Sequence, residues 1–144
     1  MIVQQILSSK PSQEITTISG NATVAEAASI LSAKHIGALV VSEGDGNIEG
    51  MFSERDIVRE LGKHGPACLG EHVKDIMTRD IVTCTPDDRA FAVLQKMTDG
   101  RFRHMPVIKD GKMVGLVSIG DAVQARLMEM AMENEALEGM IKGF

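Results

Sequence analysis

The sequence predicts an α/β (α+β) fold of two similar β-α-β-β-α units in tandem, closed by a long C-terminal helix. The segment GMFSERDIV at 50–58 recurs as GLVSIGDAV at 115–123, with Gly, Ser, Asp and the final Val in matching places. Upstream, ITTI at 15–18 corresponds to IVTC at 81–84. Each repeat also carries an apolar set spaced i, i+3, i+4, i+7, which is typical of one face of a helix.

The predicted domains, 1–65 and 66–144, are each small for independent stability. A unit of about 60 residues buries only about 60% of its unfolded surface, so the two units are expected to pack together. Apolar residues make up 44% of the chain and charged residues 24%, which is typical of a globular protein. The formal net charge is −5, and both halves are acidic. This charge argues against a nucleic-acid partner.

The elements of each unit follow from periodicity and from capping residues. A strand and then a helix open each unit, at 15–18 and 23–34 and again at 81–84 and 88–99. The pattern T-x-x-E at 23–26 is a capping box, and Thr85-Pro86 predicts a cap followed by proline at the first helical position. Two strands joined by a Gly/Asp turn come next, and a second helix begins at Ser53 or Ser118. Short helices, VQQIL and VKDIM, are predicted ahead of the units, and the linker at 62–70 is rich in glycine.

The C-terminal segment predicts one long helix, from about Ser118 to Lys142, whose apolar residues recur at steps of four and three. This is a short heptad pattern with Asn134 at one seam position. Such a stripe must be buried, either on the helix's own domain or against a second copy, so we expect a homodimer. The heptad residues are Val123, Leu127, Met130, Asn134, Leu137, Ile141 and Phe144.

No feature of the sequence predicts export, a membrane span or a metal site. The N-terminus lacks the basic region and long apolar stretch of a signal peptide, and no apolar run approaches the roughly 20 residues of a transmembrane helix. Cys68 and Cys84 form no CxxC pattern, and the histidines at 35, 64 and 72 lie at no ligand spacing. We expect a cytoplasmic protein without a metal.

The repeated unit resembles the CBS domain, named from cystathionine β-synthase. The resemblance lies in a tandem β-α-β-β-α unit of about 60 residues with a G-h-x-[ST]-x-x-D motif that closes the last strand of each copy. The stretches MFSERDIVREL and GRFRHMPVI…GLVSIGDAV are similar to stand-alone CBS-pair proteins of bacteria and plant organelles. The pair is also called a Bateman module, and we expect no catalytic domain or transporter beside it.

The resemblance implies two units packed with pseudo-twofold symmetry, with clefts between them that bind adenosine-containing ligands. The expected ligands are AMP, ADP, ATP, NAD(H) or S-adenosylmethionine, none of them an obligatory cofactor. Ligand binding would shift the population of conformations and so regulate a partner protein whose identity the sequence does not reveal. Two such pairs would associate into a homodimer.

The Ser-x-x-Asp motifs are the first candidate ligand-binding residues. From spacing alone, Ser53 with Asp56 and Ser118 with Asp121 are helix caps that satisfy free backbone N–H groups. A helix start also favours phosphate, and an ionised Asp accepts hydrogen bonds from ribose hydroxyls. The resemblance implies that the Asp holds the ribose and that the Ser lies near ribose or phosphate.

Basic residues supply the candidate phosphate contacts. Arg103 and His104 precede a predicted strand, and the resemblance implies that one of them reaches a nucleotide phosphate, for which the planar arginine side chain is suited. Gly37 and Ala38 hold the corresponding positions in the first unit, so unequal occupancy of the two clefts is expected. Arg55 is a second candidate, and pairing within its helix or plain exposure is its alternative.

The remaining candidates are threonines and apolar residues of the first and second strands. The resemblance implies that the threonines face adenine or ribose and that the apolar side chains clasp the base. Strand preference and ordinary core packing explain the same residues equally well. These candidates are Thr17, Thr83, Thr85, Ile18, Val82, Met105 and Pro106.

Two other functions remain open beside the sensor. A dimeric structural or interaction scaffold with no physiological nucleotide would share the fold and the helix caps. A nucleotide hydrolase would need a converging nucleophile, base or metal set, and the sequence has neither such a set nor a G-x-S-x-G, Walker A or Rossmann motif. We therefore predict a non-catalytic protein.

Overall fold

The computed structural model describes residues 1–11 and 15–141, which form two compact units. One unit contains residues 15–82 and 110–113, and the other contains residues 1–11, 83–109 and 114–141. In chain order the elements are α1 Val3–Ser9, β1 Thr17–Ile18, α2 Val24–Lys34, β2 Ala38–Val41, β3 Gly50–Ser53, α3 Glu54–His64, a 3₁₀ helix Gly65–Gly70, α4 Val73–Ile76, α5 Ala90–Gly100, β4 His104–Lys109, β5 Lys112–Ser118 and α6 Ile119–Ile141.

The first repeat folds in the predicted β-α-β-β-α order, and the second repeat has the predicted helix, two strands and helix after a single bridge at Cys84. In the first, β1 pairs parallel with β2, and β2 pairs antiparallel with β3. In the second, β4 pairs with β5 through a turn at Asp110 and Gly111, whose φ angles of 53° and 77° fit the left-handed turn that an Asp-Gly pair favours. The helices predicted at 23–34 and 88–99, the helices after Ser53 and Ser118, and the two short leading helices are all confirmed.

Two local predictions are wrong, both at the start of the second repeat. Of the predicted strand at 81–84, only Cys84 pairs, in a single parallel bridge with Val107. Thr85-Pro86 does not open α5, which begins at Ala90 after Arg89. The late start of α5 has a local reason: the Thr85 N–H donates to Oδ2 of Asp88 over 2.8 Å, and the Asp88 N–H donates to the Thr85 carbonyl over 3.1 Å. The carboxylate thereby closes a turn ahead of the helix.

Each short leading helix packs against the repeat that it does not directly precede in the chain. The Val3 N–H at the start of α1 donates to the Asp88 carbonyl over 2.8 Å, and Val3 is buried in the core of the second repeat. The Val73 N–H at the start of α4 donates to the Ala22 carbonyl over 2.9 Å, and Val73 is buried in the core of the first repeat. The compact units are therefore not continuous in sequence.

These leading segments explain the glycine in the last strand of each repeat. A Cβ at Gly115 would stand 2.7 Å from Cδ2 of Leu7, which follows Val3 by one turn of α1. A Cβ at Gly50 would stand 2.6 Å from Sδ of Met77 and 2.8 Å from the backbone oxygen of Thr78. Close packing against these neighbours therefore accounts for both glycines.

The distal part of α6 carries an apolar stripe that its own unit does not cover. Ala122 and Ala125 are the buried residues of this helix. Leu127, Leu137 and Ile141 are 60%, 57% and 84% exposed. The predicted heptad residue Phe144 lies outside the described residues. No helix in the described part of the chain is both long enough and apolar enough to cross a bilayer.

Candidate functional site

Each Ser-x-x-Asp motif forms the first turn of a helix. At the start of α6, the Ser118 N–H donates to Oδ2 of Asp121 over 2.9 Å, and the Asp121 N–H donates to the Ser118 hydroxyl over 3.1 Å. At the start of α3, the Ser53 N–H and hydroxyl donate to Oδ2 of Asp56 over 2.9 and 3.4 Å. Hydrogen bonds of this kind satisfy backbone N–H groups that have no partner within the helix, so both motifs stabilise their helices irrespective of any ligand.

The groups that bind the Asp121 carboxylate all donate to one of its two oxygens, Oδ2. Nζ of Lys10 lies 2.9 Å from Oδ2 and 3.0 Å from the Leu116 carbonyl oxygen. No described residue donates to Oδ1 of Asp121. Partial burial acts to raise the pKa of Asp121, but the hydrogen bonds from Ser118 and the Lys10 ammonium outweigh it and hold that pKa below its ordinary value. The carboxylate is therefore ionised at neutral pH, and Oδ1 can accept a hydrogen bond from outside the chain.

In the Asp56 carboxylate, by contrast, both oxygens have a partner. Its Oδ1 receives Nη1 of Arg59 at 3.0 Å, while Ser53 occupies Oδ2. Arg59 lies one turn further along α3, and its Nη2 donates to the Ile76 carbonyl over 3.4 Å. The Asp56 side chain is only 6% exposed, against 22% for Asp121. The two repeats thus present the same motif in two different states.

The predicted basic cluster lies beside the start of α6. The Ile119 N–H donates to the Arg103 carbonyl over 2.8 Å, which ties the residue before β4 to the first residue of the helix. Arg103 is exposed, and His104 is half-buried. In the first repeat the corresponding bond, of 3.1 Å, runs from Glu54 to Gly37, which has no side chain to supply a charge. A cation therefore flanks only the second of these two helix starts at this place.

The other sequence candidates divide between the cores and the surface. Ile18 and Met105 are buried in the hydrophobic cores of their units. Pro106 is also buried, and its carbonyl accepts a hydrogen bond from the Cys84 N–H over 3.0 Å. Val82 is 42% exposed. The exposed polar candidates are Thr17 in β1, Thr83 and Thr85 ahead of α5, and Arg55 in the first turn of α3.

The candidates fall into two groups, one in each compact unit. Ser118, Asp121, Arg103, His104, Thr83, Thr85, Met105 and Pro106 belong to one unit, and Ser53, Asp56, Arg55, Thr17, Ile18 and Val82 belong to the other. Sequence reasoning missed both Lys10 and Arg59. Arg59 follows Asp56 by three residues, a spacing at which helix side chains meet, so that partner could have been found. Lys10 lies 111 residues from Asp121, and no local pattern links them.

The described cysteines and histidines do not assemble a metal centre. Within residues 1–11 and 15–141, no three His, Cys, Asp or Glu side chains are grouped so that they could hold an ion. Cys68 and Cys84 are both buried thiols. Burial raises the pKa of the Cys84 thiol to about 11, which keeps it protonated and unreactive.

Comparisons with known proteins agree with this architecture. A family model for the CBS domain matches residues 3–63 and 73–127. The mitochondrial CBS domain-containing protein CBSX3 of Arabidopsis thaliana is 39% identical over 125 residues, which are 84% of this chain. The chain spans 61% of the length of that plant protein.

Two solved structures extend the comparison. The crystal structure of the CBS-domain containing protein ATU1752 from Agrobacterium tumefaciens is 38% identical, with a TM-score of 0.83, over 88% of this chain and 99% of that one. The CBS domain pair of protein MJ0100, crystallised with 5-methylthioadenosine and S-adenosyl-L-methionine, is 27% identical, with a TM-score of 0.75, over 91% of this chain and 98% of that one. The present chain therefore belongs to the CBS-domain family and carries two CBS domains in tandem.

Proposed function

We propose that this chain is a non-catalytic regulatory module that binds an adenine nucleotide at Asp121 and transmits a conformational change to a partner protein. The candidate nucleotides are AMP, ADP, ATP and NAD(H). The observation that carries the proposal is the state of Asp121, an ionised carboxylate at the start of α6 whose Oδ1 accepts from no described residue. Such an oxygen is a suitable acceptor for a ribose hydroxyl.

The surroundings of Asp121 suit the rest of a nucleotide. The start of α6 offers partial positive charge to a phosphate. Arg103 and His104 lie next to this helix start, and an exposed guanidinium can bind a phosphate through two parallel hydrogen bonds. Both ligands named for the MJ0100 pair are adenosine derivatives with a ribose, which supports the same class of ligand here.

The regulatory effect would come from differential affinity. A nucleotide that binds one arrangement of the chain more tightly than another shifts the population towards that arrangement. The free energy available to act on a partner cannot exceed that difference in affinity. The first step to test is therefore binding itself.

The test compares the native chain with Asp121→Ala in thermal unfolding with and without each nucleotide. At 100 times its dissociation constant, a ligand should add about 2.7 kcal/mol to the stability of the native chain. Asp121→Ala should lose most of this gain. Because it also removes a helix cap, it should lower the basal stability by about 1 kcal/mol, so the readout is the ligand-induced difference.

Asp99→Ala is the matched control, since Asp99 is an exposed acid on α5 whose Oδ1 bonds only to Gln95 among the described residues. It should keep the full nucleotide effect. Mass spectrometry of small molecules retained by the purified native chain would identify the ligand without a prior choice. No stabilisation by any of these nucleotides would refute the proposal, and multiple turnovers of bound nucleotide would indicate an enzyme instead.

A dimeric scaffold is the second candidate function, and the exposed stripe on α6 favours it. Leu127, Leu137 and Ile141 lie exposed on a helix of 23 residues. Large exposed apolar faces usually mark an interaction surface. A second copy of this helix would present the same heptad spacing, which is the basis for proposing a homodimer. The two functions are compatible, and only nucleotide binding separates a sensor from a scaffold.

A further inference from the structure

The two aspartates of the repeated motif differ in which carboxylate oxygens are taken. On Asp121, Ser118 and Lys10 both donate to Oδ2, each over 2.9 Å. On Asp56, Ser53 donates to Oδ2 and Arg59 pairs with Oδ1 at 3.0 Å. The motif is the same in both repeats. Among the hydrogen bonds and ion pairs of the described residues, however, only Asp121 keeps a carboxylate oxygen, Oδ1, that accepts no bond and could receive an incoming hydroxyl.

The difference originates at one position of the repeat. Arg59 follows Asp56 by three residues on α3, and the residue at the corresponding place on α6 is Gln124. Side chains three residues apart on a helix are neighbours, so an arginine there reaches the carboxylate directly. Glutamine is neutral, and Gln124 is exposed. In the second repeat the positive charge comes instead from Lys10 and meets the other oxygen.

We propose that Arg59 closes the Asp56 carboxylate to ligands, so that each chain binds one nucleotide ribose, at Asp121. This inference rests on the proposed function and adds which repeat is occupied and which residue decides it. Arg59 is a specificity-determining residue through its ion pair and touches no ligand itself.

Displacement of Arg59 would be unfavourable for three reasons. Asp56 is nearly fully buried, so the loss of its cation would leave a charge with little access to water. The bond from Arg59 to the Ile76 carbonyl would also be lost. Finally, a ribose hydroxyl is neutral, so its hydrogen bond to the carboxylate lacks the attraction between opposite charges that the Arg59 guanidinium supplies. At Asp121 a ribose has no such competitor on Oδ1.

The experiment exchanges the two residues and counts bound nucleotide by isothermal titration calorimetry and native mass spectrometry. AMP is the probe, or whichever of the tested nucleotides stabilises the native chain. Arg59→Gln gives the first repeat the residue that the second repeat has, and the number of nucleotides per chain should rise from one to two. Arg59→Gln combined with Asp121→Asn should bind one nucleotide, now at Asp56.

The reciprocal variant does not depend on a buried group. Gln124→Arg places an arginine three residues after Asp121 on an exposed face of α6, where the fold should tolerate it. Its ion pair to Oδ1 should weaken nucleotide binding by about tenfold or more. Gln124→Met, which has a similar length and no charge, is the control and should bind as the native chain does.

The outcomes separate this inference from the proposed function. If the native chain binds no adenine nucleotide, the proposed function fails and takes the inference with it. If the native chain binds two nucleotides, Asp56 is already open and the inference alone is wrong. If the native chain binds one and Gln124→Arg binds with unchanged affinity, the inference is again refuted while the proposed function stands. If Arg59→Gln does not fold, the result with Gln124→Arg decides.

Discussion

The packing of the two leading helices can be tested at the glycines that they cover. Gly115 and Gly50 hold corresponding places in the last strands, but different atoms face them. An alanine Cβ at Gly115 would lie 2.7 and 2.8 Å from the two methyl carbons of Leu7. An alanine Cβ at Gly50 would lie 2.6 Å from Sδ of Met77 and 2.8 Å from the backbone oxygen of Thr78. The variants Gly115→Ala and Gly50→Ala test these two sets of contacts separately.

The expected loss of stability at each glycine depends on whether the group that contacts the new methyl can move. One extra methyl in a packed site costs about 1–3 kcal/mol, and replacing a strand glycine returns about 0.5–1 kcal/mol. Leu7 meets Gly115 with the end of a flexible side chain, so Gly115→Ala should destabilise the chain by about 1 kcal/mol. The Thr78 oxygen accepts from the Met51 N–H over 2.9 Å, and the Thr78 N–H returns a bond of the same length. Gly50→Ala must strain this pair, so its loss should be about 3 kcal/mol.

The assay is urea unfolding of single and double variants. Leu7→Ala alone leaves a cavity and should cost about 2–5 kcal/mol. Leu7→Ala with Gly115→Ala should be no less stable than Leu7→Ala, because the new methyl enters the vacated space, which gives a coupling of about 1 kcal/mol. Met77→Ala should rescue Gly50→Ala only in part, since the Thr78 oxygen remains. Strict additivity of Leu7→Ala and Gly115→Ala, or equal losses at the two glycines, would refute the packing argument.

Two further predictions concern Lys10 and α6. Lys10→Met should raise the pKa of Asp121 towards its ordinary value of 3.8 and lower stability at pH 7 by no more than about 1 kcal/mol, because both partners are partly exposed. A carboxylate with a lowered pKa stabilises the fold above its unfolded pKa and stops doing so as pH falls through its folded pKa. The variant should therefore lose less stability than the native chain as pH falls from neutral to below 3.8, the ordinary pKa of this group. Parallel stability curves of the two proteins over that range would contradict this. Deletion of residues 125–144, or the milder Leu137→Glu, should weaken self-association in sedimentation velocity, and an unchanged sedimenting mass would count against α6 as the contact.

Much of the fold could be predicted because its signals are local. The duplication, the helix faces and the Asp-Gly turn depend on residues a few positions apart, and each is present in the structure where the pattern indicated. The Ser-x-x-Asp helix starts were also predictable, since a capping bond joins residues three apart. The ion pair of Arg59 with Asp56 belongs to this local class too, because the two residues lie within one turn of α3.

The errors and omissions arise where a residue depends on a distant partner. A strand at 81–84 fits strand propensities, but strands require a partner, and only Cys84 meets one, at Val107. Gly50 and Gly115 are visible in the sequence as matching positions of the repeat, but only the tertiary structure shows the neighbours that require glycine there, which are Met77, Thr78 and Leu7.

The state of the candidate site was likewise decided by tertiary structure. Two copies of one motif could be predicted from the residues alone, with an acid at the start of a helix in each copy and basic residues near the second. Which carboxylate oxygens of Asp121 and Asp56 accept no bond depends on where the ammonium group of Lys10 and the guanidinium group of Arg59 lie. Lys10 reaches Asp121 across 111 residues because α1 packs on the second repeat, and hydrophobic packing of this kind carries no signature in the residues around the site.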